Sequence, residues 1–232
     1  MTDEAADVAV VSGAGRGVGR AVAVRLAAAG YRVIAAARTT VEVEATASCA
    51  PGIVAVTADV GTDAGVAAIA RAADAQGALR VWVNNAGIVE RVPFADLDPG
   101  SWDRVLSINL RGAFVGSRAA FERMAGGGGV IVNIASLSGV ANVEKFPGLA
   151  AYNVSKAGLI ALTEAVALEG RPVGVRCVAL SPGAVDTEML RQAAPHLRPG
   201  TTPADIAEIV AFLVRPEAAL LSGANIPIFS NA

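Results

Sequence analysis

The chain has two tyrosines, Tyr31 and Tyr152, and two lysines, Lys145 and Lys156, and one of each falls four residues apart as Tyr152 and Lys156. Composition alone would produce a Tyr-x-x-x-Lys pairing roughly two times in a hundred, so the coincidence is informative. The stretch from Ala151 to Gly170 reads as a helix, and residues at i and i+4 share one helical face about 5–6 Å apart at Cβ. An ammonium can then lie beside a phenol. A cation ~4 Å away at an effective dielectric of ~20 favours phenolate by roughly 4 kcal/mol, about three pKa units. The pairing therefore predicts a tyrosine able to exchange a proton near neutral pH.

A second group of residues suits phosphate. Ser12-Gly13-Ala14-Gly15-Arg16-Gly17-Val18-Gly19 follows a short apolar run and opens a helical segment. Glycine spacing by itself carries little weight in a chain with 25 glycines; its place between a strand and a helix does. Positions without side chains there let backbone N–H groups and the helix dipole approach a pyrophosphate. At the end of the second apolar run a carboxylate would accept from a ribose 2′-OH, but Ala37 and Arg38 stand there, and Arg16 lies in the glycine loop. Two guanidiniums and no acid favour a 2′-phosphate, hence NADP(H), with NAD(H) as the alternative, because Arg forms bidentate charge-assisted bonds to phosphate. The competing reading is that either arginine is solvated surface.

These groups need elements to hold them. Apolar, β-rich runs occur at Val8–Val11, Arg32–Ala36, Ile53–Val56, Val81–Val83, Val130–Ile134, Val175–Leu180 and Asn225–Ile228, with helical-length segments between almost all of them. Continuous apolar strands alternating with helices predict an α/β fold: one Rossmann-type, doubly wound parallel sheet of about seven strands with helices on both faces. Asp98-Pro99 and Thr202-Pro203 each place a capping residue before proline at the first helical position, the second ahead of Ala204–Val214. The four glycines Gly126–Gly129 must separate a helix from the next strand.

Composition narrows the function. A chain of 232 residues with net charge −2 and 53% hydrophobic residues suits one domain, residues 1–232, with a substantial core. Mean hydropathy is +0.51, yet the apolar content is mostly Ala and Val in runs far short of the ~18 residues that cross a bilayer, so a soluble protein is expected. Met1 to Asp7 carries acids and no positive flank before an apolar stretch, which predicts no signal peptide and a cytoplasmic location. Cys49 and Cys177 have no CxxC spacing and read as reduced structural thiols, a disulfide being the alternative. His196 is the sole histidine, leaving almost nothing for a His- and Cys-based metal site or a Ser-His nucleophile. Scattered, balanced arginines mark no nucleic-acid surface.

The glycine loop, Asn84-Asn85-Ala86-Gly87, Asn109, Ser136, Tyr152-x-x-x-Lys156 and Ser181-Pro182-Gly183 with Thr187 stand in an order and spacing that resembles the short-chain dehydrogenase/reductases. The likeness runs from Val8 to about Ile228 and extends to the 3-oxoacyl-carrier-protein reductase-like members. It implies an NAD(P)-dependent oxidoreductase moving hydride between a nicotinamide and a ketone or secondary alcohol. It also implies that Ser12, Gly13, Arg16, Gly17, Val18, Gly19 and Arg38 bind the dinucleotide, and that Asp59 and Val60 hold the adenine ring. Asn85, Ala86 and Gly87 would support the sheet beside the ribose, while Pro182, Gly183, Val185 and Thr187 would grip the carboxamide. Tyr152 would be the general acid/base, Lys156 would lower its pKa and bind the ribose, Ser136 would steady the substrate oxygen, and Asn109 would anchor a water of the proton relay. A homodimer or homotetramer is implied, with the helices Trp102–Met124 and Ala151–Gly170 as dimer faces.

The chemistry stands without the family. Hydride arriving at a carbonyl makes an alkoxide, and a Ser136–Tyr152 donor pair would stabilise that charge as it develops. Taken singly, Ser136 could be a strand-end hydroxyl bonded to backbone, Asn109 an interior helix cap and Asn85 a turn residue. Ser138 competes with Ser136, and the resemblance prefers Ser136 because the family's serine is followed by two residues and a glycine, as in Ser136-Leu137-Ser138-Gly139. The chain departs from the family at Val140–Leu149, which is longer, and after Thr187, which is shorter. The substrate pocket is expected between loops 137–151 and 184–202, with Ser138, Glu144, Phe146 and Leu149 as pocket candidates and a more open mouth; His196 reads as surface or lid packing. The C-terminal Ile226–Ala232 lacks the family's Asp-Gly-Gly, which weakens the expectation for tail contacts with a neighbouring subunit. The alternative function is a dinucleotide-binding regulator or scaffold without turnover.

Overall fold

In a computed structural model, residues 7–194 and 196–229 are described; the N-terminal expectation for Met1–Ala6 and the tail after Phe229 lie outside them. The apolar runs form strands β1 (Val8–Ser12), β2 (Arg32–Ala37), β3 (Ile53–Thr57), β4 (Leu79–Asn84), β5 (Gly129–Ile134), β6 (Val175–Pro182) and β7 (Asn225–Ile228). They pair in the order β3-β2-β1-β4-β5-β6-β7, every neighbour parallel. Chain order reverses between β1 and β4, and in open parallel sheets that reversal opens a crevice at the carboxyl ends of the strands. The glycine loop leaves β1, and Asn85-Ala86-Gly87 leaves β4, on that edge.

Helices α1 (Gly17–Ala28), α2 (Thr40–Ala47), α3 (Asp63–Asp74), α4 (Pro99–Leu106), α5 (Gly112–Met124), α6 (Ala150–Gly170), α7 (Glu188–Ala193) and α8 (Pro203–Leu213) complete the described elements with short 3₁₀ turns. Burial on both faces explains the uninterrupted apolar strands: Ala9 and Val11 of β1 pack with Val22, Leu26 and Ile206, while Val8 and Val10 pack with Ile69, Met124 and Trp82. Asp98 caps α4 by accepting from the Ser101 N–H, and Thr202 and Asp205 form a capping box on α8, so both Pro-marked starts fall where their chemistry places them.

One expected element is divided. The stretch read as a single helix over Trp102–Met124 is α4, a π turn at Ser107–Arg111 and α5. A π turn inserts an extra residue into the helical ladder and re-aims one side chain. Here the buried residue within it is Asn109, and no propensity pattern announces it.

Candidate active site

The crevice is sewn together by short polar bridges. Buried Ser12 donates to the Val83 carbonyl at 3.2 Å and accepts from the Asn85 and Ala86 N–H groups at 3.1 and 3.2 Å. Asn85 Nδ2 donates to the carbonyls of Ser12 and Gly13. These bonds fix the carboxyl ends of β1 and β4 relative to each other. A Cβ at Gly19 would lie 2.3 Å from the Gly13 oxygen and 2.4 Å from Asn85 Nδ2, so only glycine lets the first helical turn approach so closely.

Whether a dinucleotide suits this loop can be judged from its donors. Helices α3, α4, α7 and α8 begin with a side chain accepting from the first turn, Thr62, Asp98, Thr187 and Thr202, whereas α1, like α2, α5 and α6, begins with no side-chain cap. The first-turn N–H groups of α1 thus remain available for an anion. Gly17 has φ +55°, and a Cβ there would meet only Thr187, at 3.4 Å or more, leaving open space above the loop. The residues fit a pyrophosphate.

Two residues without a sequence signal hold the loop. Thr46 of α2 is fully buried and donates to the Ala14 carbonyl at 2.8 Å, and Arg20 Nε donates to Thr46 Oγ1 at 3.0 Å while its Nη2 donates to the Gly15 carbonyl. Their partners are distant in sequence, so spacing could not reveal them. The same region corrects the expectation of a ribose end without an acid. Glu42, one turn into α2, reaches back over the loop: a Cβ on Gly15 would lie 3.0 Å from Glu42 Oε2. Arg16 Nη1 is 3.7 Å from Glu42 Oε1 and 2.6 Å from Glu188 Oε2 on α7. Arg38 is exposed and has no hydrogen bond or ion pair among the described residues. Asp59 follows β3 and accepts from the Gly61 N–H at 2.9 Å, and Val60 follows it against Gly112 of α5.

Around Tyr152 the polar groups converge from three elements. Ser136, two residues past the end of β5, accepts from the Ser138 N–H at 3.1 Å and lies near enough to the Tyr152 phenol to lower its pKa; Ser138 lends its backbone to that turn. Lys156 is buried, its Nζ donating to the Ile134 carbonyl at 2.7 Å and lying 5.7 Å from the centre of the Tyr152 ring. Asn109 Nδ2 donates to the Ile88 carbonyl and to Ser155 Oγ, its Oδ1 accepts from the Ile88 N–H, and Ser155 donates to the Tyr152 carbonyl. The π turn thus connects the loop after β4 to the first turn of α6.

The direction of the tyrosine's pKa differs from the charge-pair expectation. Burial pushes the Tyr152 phenol above its ordinary value, partly offset by the Ser136 hydrogen bond. Burial also draws the Lys156 ammonium down to about 8. Desolvation penalises both charged forms at once, so burial offsets the stabilisation that the lysine charge would lend to phenolate.

The loops over the site are less unified than expected. Glu144 and Phe146 lie on the exposed outer part of the 140–149 loop, and Leu149 is buried at the head of α6. The described groove of about 430 Å³ is lined by Asp186, Leu190, Arg191, Leu197, Arg198 and Pro199, all from the 184–202 side. His196 is exposed. Pro182 ends β6, the Gly183 N–H bonds to Ile228, and Val185 bridges to Thr201. Arg91, unmarked in the sequence, ties the loops together: Nε donates to the Pro147 carbonyl at 3.2 Å and Nη1 to the Ala193 carbonyl at 3.4 Å. Among the described residues, no cluster of three or more His, Cys, Asp or Glu is placed to hold a metal ion.

The sequence model of the short chain dehydrogenase family matches residues 7–198. A 2-(R)-hydroxypropyl-CoM dehydrogenase of Xanthobacter autotrophicus is 38% identical over 94% of each chain. An acetoacetyl-CoA reductase of Shinella zoogloeoides is 34% identical over 94% of this chain and 95% of its own. Among solved structures, a 3-ketoacyl-(acyl-carrier-protein) reductase from Brucella melitensis complexed with NADH superposes with a TM-score of 0.87, at 32% identity and 96% coverage of both chains.

Proposed function

The chain belongs to the short chain dehydrogenases and is an NAD(P)-dependent oxidoreductase, and from that premise we propose that it interconverts a ketone and a secondary alcohol with Tyr152 as general acid/base. The observation that carries this reading is the placement of the Tyr152 phenol beside Ser136, one helical turn from a buried lysine whose Nζ lies 5.7 Å from the ring centre, at the carboxyl edge that bears the glycine loop. The nicotinamide, when bound, supplies or accepts the hydride. The residues proposed to hold the dinucleotide are Ser12 to Gly19, Asp59, Val60, Asn85 to Gly87, Lys156, Pro182, Gly183, Val185 and Thr187, with Arg16 and Arg38 favouring NADP(H).

In reduction, Ser136 and Tyr152 donate hydrogen bonds to the carbonyl oxygen and Tyr152 gives up its proton as negative charge develops there. A phenol held above its ordinary pKa is protonated at neutrality, which suits the acid role; the proton would return through Lys156 and a water anchored by Asn109. The relatives' names point to carbonyls borne on coenzyme M, coenzyme A or a carrier protein, so a 3-oxo thioester or similar short-chain ketone is the proposed substrate class. Residues 1–232 are taken as one domain with its pocket between loops 137–151 and 184–202. Exposed Phe114, Val154 and Leu168 on α5 and α6 support a homodimer or tetramer, which light scattering tests. No helix is long and apolar enough to cross a membrane among the described residues, and two free thiols agree with a cytoplasmic location. The deciding experiment follows NADPH and NADH oxidation against a panel of 3-oxo thioesters and simple ketones with wild-type protein and Tyr152→Phe. Turnover by wild type that persists near full rate in Tyr152→Phe would reject the assignment.

A further inference from the structure

Arg16 is the one side chain of the glycine loop able to recognise a 2′-phosphate, and it is already engaged. Its Nη1 donates to Glu188 Oε2 at 2.6 Å and lies 3.7 Å from Glu42 Oε1. All three side chains keep between 37% and 55% of their surface in water, so the guanidinium can exchange partners without uncovering a buried charge. Glu42 is also seated against the loop backbone, its carbons and Oε2 about the would-be Cβ of Gly15, with the Ala37 side chain beside it. Glu42 and Glu188 therefore flank Arg16 with two carboxylates, while Arg20 is engaged by the Gly15 and Glu42 carbonyls and Arg38 is exposed.

We propose that Glu42 and Glu188 are specificity-determining residues that compete with the 2′-phosphate of NADP(H) for Arg16, holding the discrimination between the two nicotinamide cofactors well below what two arginines alone would give. The penalty falls on one cofactor only. A 2′-phosphate must draw Arg16 away from Glu188 and approach the Glu42 carboxylate, a like-charge contact that opposes it. A ribose 2′-OH faces neither obstacle, and a carboxylate there can accept its hydrogen bond. Because Glu188 opens α7, the partner that Arg16 must leave belongs to the segment covering the loop, where Thr187 also rests near Gly17.

The inference rests on the dinucleotide reading of the loop, and the test separates the two. The dissociation constants of 2′,5′-ADP and 5′-AMP, measured by calorimetry, report the 2′-phosphate without any turnover. Glu188→Gln, which removes the charge-assisted bond holding Arg16, is expected to strengthen 2′,5′-ADP relative to 5′-AMP by about tenfold, and Glu42→Gln, whose carboxylate lies 3.7 Å away without a hydrogen bond, by about threefold. The ratio of kcat/KM for NADPH over NADH should move the same way. A ratio of dissociation constants that stays within about twofold of wild type in both variants, or that falls, overturns the competition while leaving the dinucleotide site intact. Failure of both nucleotides to bind wild-type protein overturns the dinucleotide reading and the competition with it.

Discussion

Helix α6 borders two buried polar clusters that are built on opposite principles. Near its middle, Thr163 accepts from Asn133 Nδ2 at 2.8 Å and donates to the Leu159 carbonyl; Asn133 also meets Cys177, and its Oδ1 accepts from Asn84 Nδ2, which in turn donates to Ser117 while Asn84 Oδ1 accepts from Trp82 Nε1. Each amide group of Asn84 and Asn133 has a partner. Two turns earlier, Lys156 places a buried ammonium on the Ile134 carbonyl, and burial weakens its charge. A satisfied network costs little and locks β4, β5, β6 and two helices together. A buried ammonium destabilises the fold, and that is tolerated where its charge is needed for something else. Neutral amides bonded to one another mark the structural cluster; a desolvated charge marks the chemical one.

The largest expected effect lies at the chemical end. Tyr152→Phe should lower kcat by about 10²–10⁴-fold, the span of general acid–base catalysis, with cofactor affinity little changed. Because burial raises the phenol's pKa, carbonyl reduction should stay flat as pH rises through neutrality, whereas alcohol oxidation, which needs phenolate, should climb with pH. Initial rates in both directions between pH 6 and 10 check this, and an oxidation rate that falls with pH would contradict it.

Lys156→Met comes next and should do two opposite things, abolishing turnover while raising stability. The folded pKa of about 8 lies below the ordinary 10.5, so the unfolded chain binds more protons between those values and wild-type stability must rise with pH across that window. Below about pH 8 the full penalty is present, a difference of about 2.5 units or ~3 kcal/mol. Urea unfolding at pH 7 and 9.5 should show a more stable variant at pH 7 and a smaller gap at 9.5; a less stable variant would mean that the ammonium is satisfied after all. At the other cluster, Asn133→Ala leaves one of the two Asn84 Nδ2 protons without its acceptor and should cost about 1–3 kcal/mol, while turnover per folded molecule stays within about twofold of wild type.

Short-range physics made much of this visible in advance. The glycine loop, the Asp98 and Thr202 caps and the seven apolar strands each depend on residues a few positions apart, and they fall where their spacing puts them. What stayed hidden depends on distance in space. Glu42 reaches Arg16 only because α2 folds back over the loop, so the absence of an acid at the end of β2 was a misleading local observation. The π turn at Asn109 has no propensity signature, and Arg91 and Arg20 act on backbone carbonyls that any sequence would supply. The tyrosine's pKa direction was misjudged because the i,i+4 estimate counted the charge and left out burial, which acts on both partners.

The chain's other lysine offers the finest test of the contrast. Lys145 approaches the Ser136 turn from outside, its Nζ donating to the Leu137 carbonyl at 3.2 Å and the Val140 carbonyl at 2.5 Å, while Lys156 holds the same strand end from within through Ile134. Lys145 is exposed and only mildly desolvated, its pKa drawn down by burial alone, so its two bonds compete with water and should contribute no more than about 0.5–1 kcal/mol to stability. What they restrain is the 3₁₀ turn that presents Ser136. Lys145→Met should therefore raise KM for the carbonyl substrate a few-fold with kcat nearly unchanged, about 1 kcal/mol in the transition state relative to free enzyme, and Lys145→Arg should recover most of it. A drop in kcat beyond tenfold, unrescued by arginine, would place this exposed lysine with the chemical cluster and break the rule that separates the two.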